Sequence, residues 1–140
     1  IILCTVFTHL KNFNTKAIAI NQTWGQKCDH LVFMTSKVFK NKLIVKPNLN
    51  FVYLNLKEDY KKLTIKTLKT LFYAYKLKLK FDWLLKADED TFIVMENLKY
   101  FLKTKCPDEL VYYGFVYKNK KPLKFVGVEY NSGGAGYVIN

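Results

Sequence analysis

Short apolar runs alternate with longer amphipathic stretches along this chain, and that alternation limits its folds more than any other feature. The runs are Ile1 to Phe7, Leu31 to Met34, Phe51 to Leu56, Trp83 to Leu85 and Leu110 to Tyr113. Each is of strand length and bounded by polar or turn-forming residues. Between the first two, Ala17, Ile20 and Trp24 recur at helical spacing behind Asn14, which predicts a helix with Asn14 as N-cap. Between the third and fourth, Ile65, Leu68, Phe72, Tyr75 and Leu79 repeat at spacings of three and four. They predict an apolar helix face, with Lys62, Lys66, Lys69, Lys76 and Lys80 flanking it. A shorter helix is expected from Glu96 to Lys103, ahead of Pro107. Parallel strands need crossovers, and helical crossovers cover both faces of a sheet. The expected class is α/β, a mostly parallel sheet flanked by helices, in one domain of 140 residues.

After Pro107 the pattern changes: Val111 to Tyr117 and Leu123 to Tyr130 read as strands around a polar turn at Lys118 to Lys121, followed by Ser132 to Gly136. The apolar Tyr137-Val138-Ile139 stands where an element would begin, so truncation at both ends is expected. Half the residues are hydrophobic and 16% aromatic, which excludes a disordered chain. No apolar run reaches the length of a membrane span, and Ile1 to Phe7 lacks the flanks of a signal peptide. The net charge of +12 comes from 23 lysines without one arginine. Readers of base edges favour the arginine fork, so no nucleic-acid partner is expected. Biased use of A/T-rich codons accounts for the lysines better than a selected polyanion surface, although a diffuse positive field still attracts an anionic substrate.

Chemistry concentrates at Asp82-Trp83-Leu84-Leu85-Lys86-Ala87-Asp88-Glu89-Asp90-Thr91, an apolar strand that ends in three acids. Ligands of open α/β sheets bind beyond the carboxyl ends of strands. There Asp88 and Asp90 are placed to share a hard divalent cation that keeps positions open for phosphate oxygens. A solvated turn with one Asp capping the next helix is an equal alternative. The cluster Ser132-Gly133-Gly134-Ala135-Gly136 fits neither phosphate-loop pattern and suits a close backbone approach or a plain tight turn. Lys66 is a candidate phosphate partner and His9 a candidate cleft residue, although composition favours a solvated Lys66 and a surface His is the commoner case. Cys4, Cys28 and Cys106 match no zinc spacing. Cys4 and Cys28 read either as a bridged pair or as two buried thiols. With the Asn21-Gln22-Thr23 sequon they lean toward an oxidising lumen.

In order along the chain, Ile2-Leu3-Cys4, Thr23-Trp24-Gly25-Gln26-Lys27-Cys28, Leu31 to Ser36, Asp82 to Thr91 and Ser132 to Val138 resemble the core 1 β1,3-galactosyltransferases, glycoprotein-N-acetylgalactosamine 3-β-galactosyltransferases of the fringe-like group. The resemblance implies a partial GT-A domain over residues 1–140, Rossmann-like and ending after its nucleotide-sugar-binding half. It implies inverting transfer of galactose from UDP-galactose to the 3-hydroxyl of Ser/Thr-linked N-acetylgalactosamine on glycoproteins. It maps the metal-binding acids to Asp90, as direct Mn2+ ligand, and Asp88, nearer the ribose, with Glu89 between them. Lys66 matches the family's helix lysine, and Val6, Phe7 and Thr8 match the strand end that borders uridine. Gly133 and Gly134 fall on the acceptor side, and Cys4 and Cys28 match the bridged pair. No catalytic base is expected before Asn140. The resemblance also implies a Golgi lumen setting with a type II membrane anchor in the full-length protein, and it allows a homodimer. Glu89, Lys27, Asn131 and Thr5 depart from the family's usual Asp, Arg, Met and Trp. A fringe-like enzyme with another UDP-sugar donor and a non-catalytic, chaperone-like relative are the alternatives.

Overall fold

A computed structural model describes residues 1–36, 49–118 and 129–140. Its strands are β1 (Ile2–Phe7), β2 (His30–Ser36), β3 (Phe51–Leu54), β4 (Trp83–Asp88), β5 (Tyr112–Gly114), β6 (Val116–Lys118), β7 (Glu129–Asn131) and β8 (Tyr137–Ile139). Its helices are α1 (Ile18–Gln22), α2 (Leu63–Lys76) and α3 (Met95–Leu102). Six strands make one sheet in the order β3-β2-β1-β4-β8-β5, while β6 and β7 pair separately. β1 runs parallel to both β2 and β4, β3 is parallel to β2, and only β8 is antiparallel to its neighbours β4 and β5. The fold is therefore α/β with a mostly parallel mixed sheet flanked by helices, as the alternation predicts.

Strand side chains alternate between faces, and both faces are covered. Ile2, Cys4, Val6, Phe33, Trp83, Leu85 and Ala87 meet Ala17, Ile20 and Trp24 on one side, together with Met95 and Leu102 of α3. Leu3, Phe7, Val32, Met34 and Leu84 face the other way, onto Leu54 and the Ala74 of α2. Three layers result, with β1 fully buried at their centre.

Several expectations need correction. The helix expected behind Asn14, carrying Ala17, Ile20 and Trp24, is not continuous. A 3-10 turn (Leu10–Asn12), a π turn (Phe13–Ala17), α1 and a second 3-10 turn (Trp24–Lys27) follow one another. Asn14 lies exposed inside the π turn and caps nothing; instead the His9 Nδ1 accepts from the Lys11 N–H at 3.1 Å. The chain doubles back closely enough that a Cβ at Gly25 would sit 2.6 Å from the Ile20 carbonyl oxygen. On α2 the expected inward face is reversed. Ile65, Leu68, Phe72 and Tyr75 are exposed, while Lys66, Thr70 and Ala74 are buried against the sheet. Leu79 lies past the end of α2. The expected strand over Val111 to Tyr117 breaks at Phe115 into β5 and β6, which join different sheets. The turn at Lys118 to Lys121 and most of the Leu123 to Tyr130 strand fall outside the described residues, apart from β7.

Candidate functional site

The strand order reverses at β1, which sends β2 to one side and β4 to the other. A crevice opens at such a switch point beyond the strands' carboxyl ends. Phe7, the last residue of β1, pairs in register with Asp88, the last residue of β4. The acids expected to carry chemistry thus stand at the carboxyl end of this switch point, beside the expected nucleotide-bordering residues Phe7 and Thr8. Lys66 joins them from α2: its Nζ donates to the Thr8 carbonyl at 3.3 Å. Val6 points to the opposite face of the sheet, into the layer shared with Cys4.

Each acid has a different environment. Asp88 Oδ1 accepts from the Lys86 Nζ at 2.5 Å. Glu89 turns toward the protein: its Oε2 accepts from the Thr8 hydroxyl at 2.6 Å and from the His9 N–H at 3.0 Å. Its Oε1 accepts from Asn12 Nδ2 and lies 3.8 Å from the Lys16 ammonium. Glu89 therefore fastens the loop after β1 to the end of β4. Asp90 is exposed, and among the described residues it pairs with no cation. His9 is engaged as the cap of its own turn.

Two buried lysines shape the floor. An ammonium taken out of water needs a counter-ion and acceptors. Lys66 has Glu58 at 3.1 Å as well as the Thr8 carbonyl. Lys86 has Asp88 and, at 2.8 Å, the Gly133 carbonyl. The Phe7 ring lies between them, 5.3 Å from Lys66 Nζ and 4.6 Å from Lys86 Nζ, within cation–π range. Burial acts to raise the Glu58 carboxyl, but the Lys66 ammonium and hydrogen bonding outweigh it and hold the group below its ordinary value. Burial, with Tyr112 nearby, pushes the Tyr137 phenol up, so it remains neutral at the rim.

The glycine cluster is a turn between β7 and β8, held by Lys86 and Thr91, which flank the acids. Thr91 Oγ1 donates to the Gly134 carbonyl at 2.6 Å, and the Gly136 N–H closes back on Gly133 at 3.3 Å. Gly136 has φ +84, where a side chain is strained, and a Cβ there would lie 3.1 Å from the Lys86 carbonyl oxygen. Gly133 and Gly134 thus border the acid turn through their carbonyls.

Lys86 and Thr91 are site residues that the sequence analysis overlooks. A signal was present: Lys86 interrupts an apolar strand two residues before Asp88, which puts both side chains on one face of β4. The expected pairing of Cys4 with Cys28 is present, with Cα atoms 6.1 Å apart, and it anchors the approach to β2 to the middle of β1. Cys106 is free and exposed. Among the described residues no helix is long and apolar enough to cross a membrane.

The donor set suits a hard divalent cation. It offers carboxylate oxygens alone: Asp90, and the Asp88 Oδ2 that Lys86 leaves unpaired. Among the described residues no group of three or more metal-ligating side chains converges. Such a two-carboxylate edge fits an ion that keeps most of its shell for water and phosphate and does not fit an all-protein cage.

The galactosyltransferase family model matches residues 18–132. Over 140 residues the chain is 34% identical to glycoprotein-N-acetylgalactosamine 3-beta-galactosyltransferase 1 of Xenopus laevis. That match covers 99% of this chain and 36% of the frog protein, so the chain spans about a third of the relative's length.

Proposed function

This chain belongs to the galactosyltransferase family, and from that premise we propose that it supplies the nucleotide-sugar-binding half of a hexosyltransferase. The proposed reaction transfers galactose from UDP-galactose to the 3-hydroxyl of Ser/Thr-linked N-acetylgalactosamine on glycoproteins, with inversion. The observation that carries the reading is the acid-tipped β4 ending beside β1 at the switch point, with Asp88 in register with Phe7.

In this reading Asp90 and the free oxygen of Asp88 would hold Mn2+, whose charge would offset that developing on the departing diphosphate. The chain's own residues do the rest. Phe7 and Thr8 border the base, and Glu89 keeps that border in place through Thr8 and His9. Lys66, anchored on Glu58, adds positive charge behind the phosphates. Gly133 and Gly134 present backbone rather than side chains toward the acceptor. We assign no catalytic base within residues 1–140. The buried Cys4–Cys28 bridge suits an oxidising compartment. Residence in the Golgi lumen, a type II anchor in the full-length protein and a homodimer are parts of the proposal that rest on the family likeness alone.

The test is transfer by the protein carrying this chain, supplied with Mn2+, a peptide bearing N-acetylgalactosamine and a panel of UDP-sugars. A β1,3-linked galactosyl product from UDP-galactose is expected. Transfer from another UDP-sugar would overturn the donor assignment in favour of a fringe-like enzyme. Donor binding without transfer from any of them would instead indicate a non-catalytic relative.

A further inference from the structure

The Lys86 ammonium is 7% exposed and sits between two parts of the site that are distant in sequence. On one side it donates to Asp88 Oδ1 at 2.5 Å and on the other to the Gly133 carbonyl at 2.8 Å, a residue 47 positions away. Its third neighbour is the Phe7 ring, 4.6 Å from Nζ. The same pair of turns is clipped a second time by Thr91, whose hydroxyl holds the next carbonyl, that of Gly134. The carbonyl that receives Lys86 also receives the Gly136 N–H, and so closes the glycine turn.

We propose that Lys86 is a positioning residue that makes the acid turn and the glycine turn a single unit. It commits one oxygen of Asp88, leaves Oδ2 free of that pairing, and sets the position of the glycine turn relative to Asp88. The role follows from elementary costs. A buried ammonium keeps its charge only with acceptors on every accessible side, and here one acceptor is the donor-side acid while another is the acceptor-side backbone. Moving either turn alone would leave the ammonium short of a partner, so the two shift together. An isosteric apolar side chain would fill the same space but join nothing. The coupling itself needs no ligand, whereas its use in transfer rests on the proposed function above.

The direct readout is hydrogen exchange at the Gly136 amide in the ligand-free chain, compared among wild type, Lys86→Met and Lys86→Arg. Loss of one charge-assisted hydrogen bond predicts exchange roughly tenfold faster in Lys86→Met, with Lys86→Arg restoring most of the protection. Asp88→Asn, a change on a part-exposed side chain, should loosen the same amide in part, and it keeps the test decisive should Lys86→Met fail to fold. A Gly136 amide unchanged in both Lys86→Met and Asp88→Asn would overturn the inference. So would equal loosening of amides throughout β1 and β2, because that would mark a general structural role. A second arm titrates UDP with and without Mn2+. Lys86→Met should lose about tenfold in affinity only when the metal is present, and equal affinity to wild type there would contradict the positioning role. If wild type itself showed no metal dependence while the Gly136 coupling persisted, the proposed function would fail and the coupling would stand.

Discussion

Two lysines enclose the Phe7 ring, and each carries one carboxylate and one backbone carbonyl. This repeated arrangement explains how a cationic floor survives under a crevice of acids. Glu58 provides a pH-sensitive probe of it. Its folded-state value is lowered, so its stabilising contribution is present above the ordinary glutamate value of 4.5 and is lost as the pH falls through the depressed value. Glu58→Gln should therefore melt below wild type at neutral pH, and the gap should close on acidification; a gap independent of pH would contradict the pairing with Lys66. Gly136 offers a second probe. Gly136→Ala places a Cβ at φ +84 and 3.1 Å from the Lys86 carbonyl oxygen, at a cost of about 1–2 kcal/mol by denaturant titration. Of this residue-scale detail the sequence showed the acids and Lys66 but not the partners. Neither the contact of Lys86 with Gly133 nor that of Glu89 with Thr8 can be read from local pattern, because each joins residues brought together only by the sheet.

At the scale of elements, the strands were legible because buried parallel strands are continuous apolar runs, and β1 and β4 are such runs. α2 was legible as a helix but not in its orientation. Its sequence carries two usable faces, and the more apolar one, Ile65, Leu68, Phe72 and Tyr75, is the outer one. The fully buried line of Lys66, Thr70 and Ala74 packs on the sheet between the partly buried Leu63, Leu71 and Tyr73, and it delivers the Lys66 ammonium to the Thr8 carbonyl. Substitutions distinguish the two faces. Ala74→Leu should destabilise by about 1–3 kcal/mol through overpacking, while Phe72→Gln should stay within about 0.5 kcal/mol. Equal costs in chemical denaturation would contradict the observed orientation. The helix expected behind Asn14, through Ala17, Ile20 and Trp24, is broken for a different reason. Its apolar spacing is helical, but the tight return at Gly25 and the tie from Cys28 to Cys4 impose short turns instead.

For the whole molecule, the bridge between Cys4 and Cys28 closes a span of 24 residues around the element that precedes β2. Removing it by Cys28→Ser should lower stability by about 3 kcal/mol, as read from urea unfolding, without moving the acids at the far end of β1. In the proposed reading Asp88 and Asp90, at the carboxyl end of β4 beside β1, share a divalent ion with a nucleotide's diphosphate. Calorimetric titration of UDP into wild type and Asp90→Ala, each with and without Mn2+, tests it most directly. Mn2+ is expected to strengthen UDP binding in wild type and not in Asp90→Ala; equal affinity in all four titrations would rule out the shared ion.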